Sequence, residues 1–356
     1  MTDDRLPPAS PKIRSVCHLG RFPTRSGPGW ALVGQDGGQS IPLGPLGENR
    51  LFVFSDTLLT AARPVPGSAP PPARRPPGRG HLGILANTAA RAQNRDLQQA
   101  LAGLDYFLDD RSAPREILPS SADERREGIR FWPQHGLLVN DSVVLFYLGV
   151  RAVTGSTWGF VNEGTGLAVL DPATGECRRL YRRGGRGDWI FWPPRTDDLH
   201  FGVQVLREGE LAYVFASRRR GMQVTAQLAR VEVCRLSQPS AYRYLASTAP
   251  RWARRPSESC DLGPCGSQFS VSFNGHLRQY LMTYVDILDG GLYLRAADAP
   301  WGPYSAPRRV APVPRQKEAY LGFEHASFAR EDGRQILISY CEPRFSQSSL
   351  VAVRLA

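Results

Sequence analysis

The sequence predicts an all-β chain folded as a five-bladed β-propeller with a polar axial channel. Three observations carry that prediction. A short phrase recurs as Gly34-Gln35-Asp36, Trp132-Pro133-Gln134, Gly202-Val203-Gln204, Gly266-Ser267-Gln268 and Gly322-Phe323-Glu324. After each phrase come a polar turn and an apolar strand ending near an aromatic: Phe54, Phe146, Phe215, Tyr284 and Tyr340. Gly (35) and Pro (30) are abundant, as tight turns between many short strands require. Self-similarity at a long period marks units that bury their faces against their neighbours. Five strand-rich units read as propeller blades. The first strand of a blade lines the axis, so Asp36, Gln134, Gln204, Gln268 and Glu324 are expected around one channel.

Residues 1–12 read as a flexible polar tail, and 13–356 as a single domain. The first unit opens near Trp30 and runs through Leu51-Phe52-Val53-Phe54-Ser55. The segment 61–80 is rich in Pro, Arg, Gly and Ala and has almost nothing to bury, so it is expected to be a mobile insertion. The chain re-enters the fold at 82–88. Leu97, Leu101, Leu104 and Leu108 recur at helical spacing and predict a helix over 95–108 inserted between strands. The later units carry Val143–Tyr147, Leu211–Phe215 with Ala229–Val233, Tyr280–Val285 with Gly291–Ala296, and Ile336–Tyr340 with Leu350–Leu355. These runs are β-branched and aromatic, and Gly, Asn, Asp or Pro bounds them.

Composition narrows the function classes. Of 356 residues, 42% are hydrophobic and 22% charged, the balance of an ordinary globular chain. There is no apolar run of eighteen residues, so no membrane span is expected. Met1–Ile13 has charge and prolines but no apolar stretch, so no secretion signal is read in the chain as given. The net charge is +11, and lysine occurs only at Lys12 and Lys317, so the excess is arginine. An anionic partner, nucleic acid or a charged polysaccharide, would use such charge. The runs Arg182-Arg183, Arg218-Arg219-Arg220 and Arg254-Arg255 lack any nucleic-acid-binding signature, and a solvated surface is the favoured reading. Of six cysteines only Cys260 and Cys265 are close, and they could form a disulfide or remain two thiols. Without a Cys-x-x-Cys pair or a His cluster, neither metal nor cofactor is expected. A monomer is expected.

Two acids stand out. Asp36 lies in the repeated polar position, and Asp56 ends the next strand in Phe54-Ser55-Asp56-Thr57. Antiparallel pairing would bring them to one mouth of the channel. Two carboxylates there suit glycosidic hydrolysis: one protonates the leaving oxygen while the other activates water or attacks. Each acid alone reads equally well as a turn former. Glu324 and His325 occupy the matching place in the last unit. They would contact substrate or close the ring between the first and last blades. Gln134, Gln204 and Gln268 read as channel-lining hydrogen bonders, because amides do not titrate. Trp132, Trp158, Trp189, Trp192 and Trp301 are candidate sugar platforms, and Trp189-Ile190-Phe191-Trp192 looks the most exposed. No nucleophile elbow, P-loop or dinucleotide fingerprint appears in a suitable context.

Phe54-Ser55-Asp56-Thr57 resembles the Phe-Gly-Asp-Thr signature of the bacterial "domain of unknown function 4185" family. Asn87, Trp132-Pro133, Gly166–Val169 and Ala299-Pro300-Trp301-Gly302-Pro303-Tyr304-Ser305 follow in that family's order, from about Val16 to Leu355. The resemblance implies a five-bladed propeller related to glycosidases, some members being endo-acting D-arabinan hydrolases. It carries catalytic roles to Asp36 and Asp56, and substrate contact to Asn87 and Trp132. The chain departs from the pattern at Ser55, at the missing secretion signal and at the insertion. The expected function is a two-carboxylate, inverting glycoside hydrolase acting on a poly- or oligosaccharide. The alternatives are a non-catalytic carbohydrate-binding or scaffold propeller and, behind it, an arginine-driven nucleic-acid binder.

Overall fold

The computed structural model describes residues 6–23, 25–44, 49–61, 81–154, 159–181, 187–194, 198–312, 319–342 and 347–356. Nearly all regular structure in them is β, arranged in four hydrogen-bonded sheets. The first sheet is built on Trp30–Pro42 and Arg50–Thr60, and the second on Ile129–Val139, Ser142–Ala152 and Phe160–Leu170. The third runs outward from His200–Glu208 through Leu211–Arg220 and Gln223–Glu232. The fourth has eight strands and differs from the expectation of five separate blades. Its two halves start at Phe269–Asn274 and Tyr320–Glu324, and they join through one parallel pairing, Phe269 with Gly322.

The apolar core lies between successive sheets. Leu51, Val53 and Ala89 of the first sheet pack with Phe131, Val143 and Leu145 of the second. Phe146 and Leu167 of the second pack with Phe201, Val214 and Val231 of the third. Phe215 and Leu228 then meet Phe269 and Met282. Leu281 and Leu294 meet Ile336 and Ile338 within the eight-stranded sheet. Phe52 and Phe54 meet Phe328, Leu337 and Leu350, which returns the sequence of cores to the first sheet. The amino-terminal strand Ile13–Arg21 pairs antiparallel with the last strand, Gln347–Leu355, so the two ends of the chain share a sheet edge.

Several local expectations are corrected. The helix spans only Leu97–Ala102, capped by the Asp96 side chain, which accepts from Gln99 N–H. Gly103 ends it, so Leu108 lies outside, in a bridge with Pro114. Trp189 and Trp192 are buried, not exposed: Trp189 packs edge-on against Phe131, and Trp192 Nε1 donates to the Tyr244 hydroxyl. Arg218 is buried rather than solvated, donating to Ser259 and Asp261. Cys260 and Cys265 are free thiols. Trp158, Arg182, Arg183 and residues 62–80 lie outside the described residues. No helix among the described residues is long and apolar enough to cross a membrane.

Candidate active site

The two acids meet because the first sheet carries a bulge between them. Gln35 pairs with Thr57 and Gly37 with Phe54, so Asp36 alone faces both Ser55 and Asp56. Two residues against one is the geometry that bends a strand and re-aims its side chains. Gly37 and Gly38 follow with φ of 85° and 90°, a region where glycine is tolerated and a side chain is strained. The neighbours are tied down. Gln35 is buried among Thr57, Thr88 and the Tyr106 hydroxyl, which donates to it at 2.6 Å.

Asp36 and Ser55 line an open pocket of about 760 Å³. The other walls come from Trp132, Leu148, Phe160, Val161 and Asn162 of the second sheet and Asp198, His200 and Arg219 of the third. Ser267, Gln268, Tyr320 and Leu321 complete it from the eight-stranded sheet. Asp56 joins this site through Trp132, whose Nε1 donates to Asp56 Oδ1 at 3.1 Å. The Tyr320 hydroxyl donates to Asp36 Oδ1. Burial and then the Asp36 charge push the Asp56 carboxyl up to about 6; the Trp132 bond and Arg130 pull it down, and Glu116 adds to the rise. The Trp132 ring stands edge-on to Phe160 at 4.7 Å. Across the pocket, Asn162 Nδ2 donates to Asp198 Oδ1, with Arg219 Nε 3.8 Å from Oδ2. Burial lowers the His200 imidazole from its usual range, against the pull of Asp198, and its Nε2 bonds Ser217 Oγ.

The five repeated polar positions do not share one level. Asp36 and Gln268 line this pocket, whereas Gln204 and Glu324 line a second, of about 500 Å³, where the inner strands end. The reason is register. The anchor aromatics fall into three registers: Phe54 and Tyr284 pair with the residue just after the phrase, Gly37 and Phe269, Phe215 pairs with its third residue, Gln204, and Tyr340 with its first, Gly322. Bulges thus shift the polar residue along the axis from unit to unit. Gln134 is fully buried in the bulge between Pro133 and Gly136, and neither amide atom has a partner among the described residues.

Several of the expected substrate contacts are engaged in hydrogen bonds within the fold. Asn87 is fully buried; its Nδ2 donates to Leu118 O and Phe131 O, and its Oδ1 accepts from the Ile117 and Leu118 amides. It clips the second sheet to the first and has nothing left for a sugar. His325 is also fully buried, between Ser40 Oγ and Ser339 Oγ at 2.9 Å each, and burial drives its imidazole down to about 3. It ties the last inner strand to the first, as the ring-closing reading had it. Gln204, in the wall of the second pocket, donates from Nε2 to Val205 O and Val271 O. Glu324 is buried at the second pocket with Ser272 Oγ donating at 2.7 Å, and burial pushes its carboxyl up to about 7.

Sequence reasoning missed Tyr320, His200, Asp198, Arg219 and Asn162. A signal existed: His200 and Tyr320 both stand two residues before the repeated Gly202 and Gly322. In these two units the pocket is lined from that position, whereas Asp36 and Gln268 reach it from the third residue of the phrase. Among the described residues no group of three or more His, Cys, Asp or Glu is placed to hold a metal ion.

Sheets packed core to core, with a pocket lined by residues of all four, define an all-β, propeller-like fold. The solved structures similar to the chain include a putative hydrolase from Bacteroides ovatus, at 14% identity and TM-score 0.59 over 90% of this chain and 85% of that one. They include a GH43_1 enzyme from Xanthomonas citri, at 12% identity and TM-score 0.52 over 95% and 91%. A GH62 α-L-arabinofuranosidase catalytic domain from Coprinopsis cinerea matches at 8% identity and TM-score 0.50 over 98% of both chains. At such identities the likeness is one of fold. No curated protein matches the sequence. The chain belongs to the family described as Domain of unknown function (DUF5005), whose sequence model matches residues 19–349. The 4185 family is not the one this match returns. Within the stretches that suggested it, Thr57 is buried against Thr88, and Trp301 packs on Tyr213.

Proposed function

We propose that the protein is a glycoside hydrolase in which Asp36 is the general base and Asp56 the general acid. The observation that carries this reading is the bulge that sets Asp36 opposite Asp56 at the mouth of a pocket with an aromatic wall. The two carboxyls sit in unlike surroundings, and unlike surroundings divide acid from base. Asp56 is held by one indole N–H, and burial with the Asp36 charge raises its carboxyl to about 6, which keeps it protonated in the weakly acid range. Asp36 accepts from a phenol, which favours its anion.

In the step we propose, Asp36 takes a proton from water as the water oxygen bonds to the anomeric carbon. The bond from that carbon to the glycosidic oxygen breaks, and the Asp56 proton passes to the departing oxygen. Exchange with solvent returns both acids to their starting states. Attack by water, without a covalent intermediate, inverts the anomeric centre. We further infer that the eight-stranded sheet is two blades sharing one parallel pairing, which makes five blades in all. Trp132 supplies the planar face for a sugar ring, and Gln268 and Asn162 supply hydrogen bonds. Furanosides, arabinan first, head the substrates to try; the arabinofuranosidase of like fold supports that order.

The experiment is a panel of plant and bacterial polysaccharides incubated with purified protein, with new reducing ends measured. Proton NMR of the first products reads the anomeric outcome. Release of product with inverted configuration supports the proposal. Binding without release across the panel would instead favour a carbohydrate-binding propeller.

A further inference from the structure

We infer that Tyr320 is a positioning residue of this site, its phenol holding Asp36 as the anion that faces Asp56. The inference rests on the acid–base reading above. It starts from an irregular backbone. In a regular strand successive side chains point to opposite faces. Yet Tyr320 and Leu321, consecutive residues of Tyr320–Glu324, both line the pocket. The cause is Leu321, at φ 50°, in the left-handed region that a leucine avoids. Pairing with the neighbouring strand slips there too: Tyr320 faces Cys341 and Gly322 faces Tyr340, leaving Leu321 as the extra residue. Strain of this kind persists where the surrounding structure over-determines it, and it gathers at functional sites. Here its effect is to turn Tyr320 toward the first sheet, where its hydroxyl donates to Asp36 Oδ1.

The bond crosses from the last inner strand to the first, so it fixes the base from outside its own sheet. A donor on the charged form favours that form. Several charged and titratable groups among the described residues face the pair. The Cys341 thiol, on the strand beside Tyr320, feels the Asp36 charge. Asp198, His200 and Arg219 stand across the pocket. Arg130 and Glu116 act on Asp56. Tyr320 therefore supplies a hydrogen bond aimed at one acid, and it separates the two proton affinities that the mechanism needs apart.

The test is a titration that needs no substrate. Carboxyl carbons of 13C-aspartate protein are followed by NMR in the wild type and in Tyr320→Phe, and the pair's two midpoints are read. In Tyr320→Phe the lower midpoint should rise by about one pH unit, the scale of one hydrogen bond to a charged group. The upper midpoint, near 6, should stay in place. A second variant carries 3-fluorotyrosine at 320. It keeps the shape of the ring and donates more strongly, so the lower midpoint should fall; it decides the matter if Tyr320→Phe does not fold. A lower midpoint that stays fixed in the folded variants would overturn the role given to Tyr320. Failure of the acid–base reading is distinguishable. A shifted midpoint in a protein that hydrolyses nothing would overturn that reading alone, and an unmoved midpoint in an active enzyme would overturn Tyr320 alone.

Discussion

Asp56→Asn should make the protein more stable at pH 8 while removing its proposed chemistry. The Asp56 carboxyl is pushed from its ordinary 3.8 to about 6, by burial first and by the Asp36 charge second. A group whose folded value is raised keeps its proton in the folded state after the unfolded chain has lost it. Stability therefore falls as pH rises from about 4 to about 6 and stays low above that range. The gap corresponds to about 3 kcal/mol at most, since one pH unit is about 1.4 kcal/mol. Asn carries no charge and can still accept from Trp132 Nε1, so the variant avoids the penalty and keeps the bond. Urea unfolding at pH 4 and pH 8 measures it. The variant should match the wild type at pH 4 and exceed it by about 2 kcal/mol at pH 8, a rise of a few degrees in Tm. A variant equally or less stable at pH 8, with no change in the difference between the two pH values, would refute the placement of Asp56 beside a charged Asp36.

The structural roles give predictions of their own. Asn87→Ala strips partners from two buried amides and two carbonyls and should lower stability by about 3 kcal/mol or more, read by urea unfolding, without changing KM in the protein that remains folded. Gly149→Ala would set a Cβ inside the Trp189 ring and should cost about 1–3 kcal/mol in the same assay. His325 has its folded value depressed to about 3, so the stability it contributes is present above about 6.5 and is lost as pH falls. His325→Gln should flatten the acid limb of a stability–pH curve between those values.

Much of the architecture was legible because burial repeats. The five phrases and their aromatic anchors mark where apolar strands must alternate with turns, and Phe54, Phe146, Phe215, Tyr284 and Tyr340 are all buried between sheets. The acids of the site were legible for the same reason: Asp36 and Asp56 break an otherwise buried pattern. The level of each polar residue along the axis was not, because it depends on bulges. A one-residue slip at Gln35–Gly37, Pro133–Gly136 or Tyr320–Gly322 is invisible in composition yet moves every later side chain. Asn87 was not legible as a clip, and His325 was open to two readings, for a related reason. Buried hydrogen-bonding clips and sugar contacts use the same residue types, and only the partner list separates them.

The central claim is that Asp36 and Asp56 act as a pair on a glycosidic bond. Its most direct test is hydrolysis of a substrate from the panel by the wild type, Asp36→Asn and Asp56→Asn, at pH 5.5 and 7.5, with unfolding curves confirming that all three are folded. Each variant should lose turnover by about a hundredfold or more, the usual scale of one acid or base. The wild-type rate should fall above pH 6 as Asp56 gives up its proton. Turnover unchanged in both folded variants would contradict the account.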